Sequence, residues 1–322
     1  MSTPNSTYTQ VLTASIANYS STLEDNITGN NALLMFLKKR GNTKPADGGA
    51  EILENILFAE SANGGWYSGS EVLGTADSDV LTTANFAWKQ HYALITMNGL
   101  EITQNKGKAK MHSLIDGKLS AADAKMQNGI GAALFYANTE SSGKAIGGLQ
   151  HLIADSPSTG IVGGIDASSS ANSWWRNYVF SYNANGGLTA SSSTVLTALN
   201  TSFLNTNRGT EKVDLVLGGT TYFGHFEGAL QANQRFMDAE LGKAGFEAYR
   251  YKTAMVMHDP NCSATRMYGI NTSTVLFRPD PDRNFTQGDR VKPVNQDMFA
   301  VPMWFTGNLT VRSRRRNFVI IA

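Results

Sequence analysis

Between residues 82 and 138 the spacing of apolar positions changes period. From 82 to 96 the even positions are mostly apolar (Ala84, Phe86, Trp88, Tyr92, Leu94), while the odd ones carry Thr83, Asn85, Lys89 and His91. Side chains alternate across a strand, so this pattern predicts one long, half-buried strand. The alternation stops at Asn98-Gly99. A helical spacing follows, with Ile102, Ile115, Leu119, Ala122, Met126, Ile130, Ala133 and Ala137 near one face. A helix over 100–138 would be roughly 58 Å long at 1.5 Å per residue. A compact chain of this length has a radius of gyration of about 20 Å, hence a diameter near 50 Å. Such a rod suits a flat, elongated molecule. Gly107, Gly117, Gly129 and Gly131 are its weak points, each costing about 1 kcal/mol relative to Ala, and a break at Gly117 would shorten it.

The pattern elsewhere divides the chain. Residues 1–22 are polar and poor in large apolar groups, which predicts an arm that orders only against something else. Residues 31–37 form a short apolar segment followed by Lys38-Lys39-Arg40 and Gly41, a helix with cations at its C-terminal end. That triplet could also meet nucleic acid, although its charge pattern favours a solvated helix end. Ile52, Leu53, Ile56, Leu57 and Phe58 precede a Gly-rich stretch holding Trp66 and Tyr67, and a second polar stretch leads into the long strand. This reads as a two-stranded excursion with a wide tip, and an isolated ribbon is marginal in water. Two readings are open: the ribbon lies on another molecule's surface, or it folds back on its own core.

Further on, 191–194 cap a helix with the face Val195, Leu199 and Phe203, and 213–217 form a short strand. Residues 218–221 turn into a helix with Phe223, Phe226 and Leu230. Two further strands are expected over 249–257 and 267–277, so 146–289 reads as an α/β or α+β lobe. Residues 298–312 make another strand, placed by Pro302 at an edge or bulge. A basic turn, Arg312, Arg314, Arg315 and Arg316, leads to a closing strand over 317–321, expected to pair with the lobe that holds the long strand.

Composition narrows the class. The chain has 322 residues, a formal charge of +1 and only 16% charged residues. It can bury a sizeable core but has no global field to hold a polyanion, and its weakly charged surface suits self-association. One cysteine, Cys262, excludes an internal disulfide framework. No signal peptide and no membrane span is expected.

Candidate chemistry is sparse. The 218–221 turn lacks the Lys and the spacing of a phosphate loop. His258, Asp259 and Cys262 lack a second cluster to complete a metal site. Asp77/Asp79 and Asp280/Asp282 are turn-formers by context, and the five histidines are scattered. No catalytic, cofactor-binding or metal residues are assigned, and no enzymatic activity is expected. The remaining candidates are contact residues: Trp66 and Tyr67 at the ribbon tip, and Arg312, Arg314, Arg315 and Arg316, which could meet phosphate or a neighbouring subunit's carboxylates.

The order of elements, with the segments 25–34, 66–69, 86–90, 146–150, 173–177 and 268–271 and the Arg-rich tail, resembles the major capsid proteins of tailed bacteriophages, in particular a podovirus-type group. The resemblance implies the α+β Johnson fold: an N-terminal arm (1–40), an extended β-hairpin loop (41–90), a peripheral domain with a long spine helix (91–145, returning at 290–322) and an axial domain (146–289). It also implies a subunit that self-assembles into the hexamers and pentamers of an icosahedral head in the host cytoplasm and resides in the virion. Scaffolding, portal and cement or decoration proteins are the implied partners, with packaged double-stranded DNA contacted weakly. The alternative from another class is a soluble carbohydrate- or peptide-binding protein using Trp66/Tyr67 and Trp174/Trp175.

Overall fold

The computed structural model describes residues 31–46, 48–76, 78–104, 108–184, 187–231 and 248–322. Of the expected arm (1–40), residues 1–30 lie outside the described residues. The elements in chain order begin with α1 (Ala32–Lys39), β1 (Glu51–Leu57), β2 (Leu81–Ala87), β3 (Lys89–Asn98), α2 (Gly99–Gln104) and α3 (Lys108–Ala133). The short α4 (Leu149–Leu152), β4 (Ile161–Val162), β5 (Ile165–Asp166), β6 (Tyr178–Ser181), α5 (Val195–Thr206), β7 (Leu215–Gly218) and α6 (Thr220–Gln231) follow. The chain closes with β8 (Ala248–Tyr251), β9 (Ala254–His258), β10 (Met267–Ile270), β11 (Val275–Gln287), β12 (Met298–Val311) and β13 (Phe318–Ile321).

Helix α1 forms as expected. Asn31 caps it, its side-chain oxygen accepting the Leu34 N–H at 3.1 Å, and Lys38 and Lys39 occupy the last turn. Gly41 ends it with φ +70°, a left-handed value that glycine adopts without penalty. Its apolar face, Leu33, Leu34, Phe36 and Leu37, is buried in the main core.

The long strand is in fact two. Strand β2 pairs antiparallel with β1, from Glu51↔Ala87 to Leu57↔Leu81, and makes the ribbon. At Trp88, whose indole N–H donates to the Gly49 carbonyl at 2.9 Å, the chain leaves the ribbon. Strand β3 then pairs with β12 in a different sheet. The buried parity flips there: Ala84 and Phe86 are buried in β2, but Ala93, Ile95 and Met97 in β3. Tyr92 and Leu94, expected inside, are 65% and 47% exposed. Residues 92–97 (YALITM) are apolar on nearly every position, so alternation alone cannot say which parity faces the core.

The rod is shorter than expected and unbroken at Gly117. Helix α3 has 26 residues, about 39 Å at 1.5 Å per residue, and ends at Ala133. It packs on β3 through the anticipated face, with Ile115, Leu119, Ala122, Met126 and Ile130 buried.

Two sheets organise the remainder, in the orders β11-β12-β3 and β6-β13-β10-β7-β9-β8. Helices α5 and α6 cover one face of the six-stranded sheet, where Phe203, Tyr222, Phe226, Val216, Val256 and Phe318 form a second core. Leu215, Leu217, Met257, Tyr268 and Val319 of the same sheet join the main core. Residues 249–257 form a hairpin rather than one strand, turning at Lys252 (φ 52°). Residues 267–277 divide between β10 and β11.

Strand pairing also redraws the lobes. Strand β13 lies between β6 and β10 in the six-stranded sheet, not in the lobe of β3 where it was expected. Strand β11, expected in the 146–289 lobe, leaves that sheet at Val275 and pairs with β12. Strand β12 is central, not an edge, but its pairing with β11 shifts register at Asn284 and Thr286 and ends at Gln287↔Met303, one residue short of Pro302, so Pro302 lies outside that ladder. Near 271–274 and again near 312–317 the chain passes directly from one of these sheets to the other. The crossings brace each other: Asn271 N–H donates to Asn317 Oδ1 at 2.8 Å, and Arg312 N–H to the Thr274 carbonyl at 2.8 Å.

Candidate functional site

The residues weighed as candidate chemistry have structural surroundings of their own. The first N–H groups of α6 point at a neighbouring loop: Thr221 N–H donates to the Ala264 carbonyl at 3.2 Å, and Gly219 N–H to Arg266 at 2.9 Å. A Cβ on Gly219 would lie 1.9 Å from the Ser263 carbonyl oxygen, so glycine serves close backbone packing there, not phosphate binding. Among the described residues no group of three or more His, Cys, Asp or Glu could hold a metal ion. Burial, with the Asp259 charge beside it, pushes the Cys262 thiol up to about 12, so it stays protonated. Asp280 accepts the Asp282 N–H at 2.8 Å, but the pair lies within β11, where its pairing with β12 shifts register, and not in the polar loop expected. His151 is pushed down to about 4 by burial and by the Arg314 and Lys89 charges, and is neutral near pH 7. No described helix is long and apolar enough to cross a membrane.

Much of the apolar surface left uncovered among the described residues lies on the ribbon, though Leu204 and Val294 are exposed elsewhere. Along β1 the exposure alternates, so Ile52, Glu54 and Ile56 point inward and Leu53 and Leu57 outward. Ile52 and Ile56 are buried on the chain's own core, at 3% and 6% exposure. The proximal ribbon therefore folds back on its own molecule, which corrects the reading that Ile52 and Ile56 await a neighbour. Phe58 stands against Trp174, ring centroids 5.4 Å apart. Beyond it the tip, residues 59–80, is held by a few polar contacts, such as Ser61 Oγ to Ser78 Oγ at 3.2 Å. Trp66 is fully exposed, Tyr67 is 68% exposed, and Val72, Leu73 and Leu81 stand in solvent beside them.

The inward face of β1 carries a charge that sequence reasoning missed. Glu54 is 1% exposed and accepts Arg278 Nε at 2.7 Å, Arg312 Nε at 2.8 Å and Thr310 Oγ1 at 3.0 Å. Burial alone would raise its carboxyl above the ordinary value, but the two arginines and Thr310 together hold it below that value. The clamp fixes the ribbon to β11 and β12. Only the parity of Glu54 with Ile52 and Ile56 hints at it in the sequence.

The four arginines of the basic turn meet different fates. Arg312 closes the Glu54 clamp. Arg314 is fully buried within the subunit, donating to the Leu152 carbonyl at 2.7 Å and Asn177 Oδ1 at 3.0 Å. It joins the two lobes from inside and cannot be a subunit contact, which corrects the expectation for that residue. Arg316 pairs with Glu211. Arg315 is exposed. The two tryptophans of 173–177 also separate. Trp175 is buried and donates to the Val162 carbonyl at 3.0 Å, while Trp174 stays half-exposed. Trp66/Tyr67 and Trp174 line different cavities, so they make no shared aromatic binding site.

No family model matches the sequence, and no curated protein matches it. Solved structures do resemble the fold. The capsid asymmetric unit of cyanophage A-1(L) superposes with TM-score 0.62 at 16% identity, covering 87% of this chain and 90% of that one. The capsid of Myoviridae phage XM1 gives 0.51 at 12% identity over 89% and 91%. The SrpI encapsulin of Synechococcus elongatus PCC 7942 gives 0.54 at 10% identity over 91% and 88%. The likeness spans nearly the whole chain and defines a class: an α+β shell-protein architecture. In particular the chain has the Johnson fold of the tailed-phage capsid proteins, as the sequence resemblance implied.

Proposed function

We propose that this chain is the major capsid protein of a tailed phage, a non-enzymatic subunit that assembles into hexamers and pentamers of an icosahedral head enclosing double-stranded DNA. The observation that carries the reading is the ribbon tip. A subunit with a shell-protein fold holds Trp66, Tyr67, Val72 and Leu73 in solvent, and burying each such side chain is worth about 1.5–3 kcal/mol. A surface of that kind is covered by association, and a head-to-tail contact closes into rings when the rotation permits. The formal charge of +1 fits a container through which DNA must move, because tight phosphate binding would hold it. Assembly in the host cytoplasm with scaffolding, portal and cement or decoration proteins belongs to the same reading.

Sedimentation and electron microscopy of the purified full chain, alone and with its scaffolding partner, test this. Rings and closed shells are expected. A discrete monomer at every concentration, with the scaffold present, would exclude the role.

A further inference from the structure

Where the distal end of β1 meets the basic turn, the subunit has an open cleft of about 200 Å³. Its lining includes the Phe58 and Trp174 pair together with Arg208, Arg312, Arg315 and Arg316. Two of these cations are spent within the molecule, Arg312 on Glu54 and Arg316 on Glu211. Arg208 and Arg315 are exposed and have no carboxylate partner among the described residues. Arg316 is held below its ordinary value by burial and by the charge of Arg208, so the cations repel one another. Four guanidinium groups against two carboxylates leave the cleft with an excess of two positive charges.

The complement of this cleft lies on the same chain. Residues 59–80 carry Glu60, Glu71, Asp77 and Asp79 and no Lys, Arg or His. Glu60, Glu71 and Asp79 are exposed, and Glu71 is followed directly by the uncovered Val72 and Leu73. A segment that offers carboxylates beside aliphatic side chains matches a cleft that offers guanidinium groups beside Phe58 and Trp174, since Arg forks carboxylates and aromatic walls accept apolar groups. The subunit's own tip contributes no lining residue to the cleft.

We infer that this cleft receives the acidic ribbon tip of a second copy of the chain, with Arg208 and Arg315 as the unpaired cations that meet its carboxylates. The inference rests on the shell-subunit reading and assigns one of its contacts. A peptide is favoured over nucleic acid because the cleft is small, half of its charge is already neutralised, and Ile56, Leu57, Phe58 and Trp174 are part of its lining.

Complementary charge reversal in the full chain tests it. Variant one carries Glu71→Lys and Asp79→Lys, and variant two carries Arg208→Glu and Arg315→Glu. Each alone should lower the assembled fraction about ten-fold, because like charges now face each other. An equimolar mixture should regain six-membered rings, since in an alternating hexamer every reversed tip meets a reversed cleft and every native tip a native one, while a five-membered ring keeps one mismatched contact, so the mixture is read by its hexamers. Assembly of either variant at wild-type levels, or a mixture no better than its parts, would overturn the contact. A fluorescently labelled peptide of residues 59–80 gives a readout that does not need shells. It should bind the wild-type chain and bind variant two about ten-fold more weakly, the loss expected from removing charge-assisted contacts. If wild-type chain fails to assemble even with its scaffolding partner yet binds this peptide, the capsid role falls and the cleft assignment stands. No binding of the peptide, or capture of a single-stranded oligonucleotide in its place, would overturn the assignment.

Discussion

Glu54 shows what a single residue does in this fold and why the sequence hides it. In the run EILENIL it shares parity with Ile52 and Ile56, so the strand buries a carboxylate. Its partners Arg278 and Arg312 lie 224 and 258 residues away, and nothing local announces them. Replacing Glu54 with Gln leaves two guanidinium groups facing a neutral amide, one of them largely buried. The expected loss is about 3 kcal/mol of folding stability near pH 7, in the range for breaking a buried ion pair. The carboxyl is held below its ordinary value of 4.5, so its contribution is complete above pH 4.5 and is lost as pH falls through the lower folded value. Urea unfolding of wild type and Glu54→Gln should therefore differ at pH 7 and converge in acid. A constant difference at both would mean that the clamp works by packing. Arg314 teaches the same lesson: in RSRRR the four arginines are chemically alike, and only the junction of the lobes decides which is buried.

Among the elements, those fixed by local period were legible and those fixed by distant partners were not. Helix α3 was readable because Ile115, Leu119, Ala122, Met126 and Ile130 recur on one face. Its glycines were all treated as weak points, but the structure separates them. A Cβ at Gly117 would meet nothing within 4 Å, whereas at Gly129 it would lie 2.4 Å from His91 Nε2. Gly117→Ala is expected to stabilise the subunit by about 0.5–1 kcal/mol, the helix-propensity gain at an exposed site. Gly129→Ala should destabilise it by about 1 kcal/mol, because the His91 ring, which lines the same cavity as Gly129, must shift to clear the new methyl. Thermal unfolding of the two variants reads both signs at once. The break at Trp88 and the exposed Tyr92 and Leu94 were not legible, since an apolar run on both parities fits either sheet face. The sheet that takes in β13 could not be read either, because its neighbours β6 and β10 are set by long-range pairing.

At the scale of the whole molecule, the two sheets are laced together by crossings at 271–274 and 312–317, and the ribbon is clamped to that body through Glu54. The clamp braces the stem of the ribbon, and in the reading proposed above the exposed tip that the stem carries is there for the next subunit. Sedimentation velocity of Trp66→Ala with Tyr67→Ala beside the wild-type chain, with urea unfolding of the dilute subunits as its control, tests that claim most directly. The account predicts an unfolding free energy within about 0.5 kcal/mol of wild type, as for a surface change. It also predicts a variant that stays a single subunit at concentrations where wild type forms rings and shells. A variant that assembles like wild type would contradict it, and so would a subunit destabilised by about 3 kcal/mol or more, the cost of removing core aromatics.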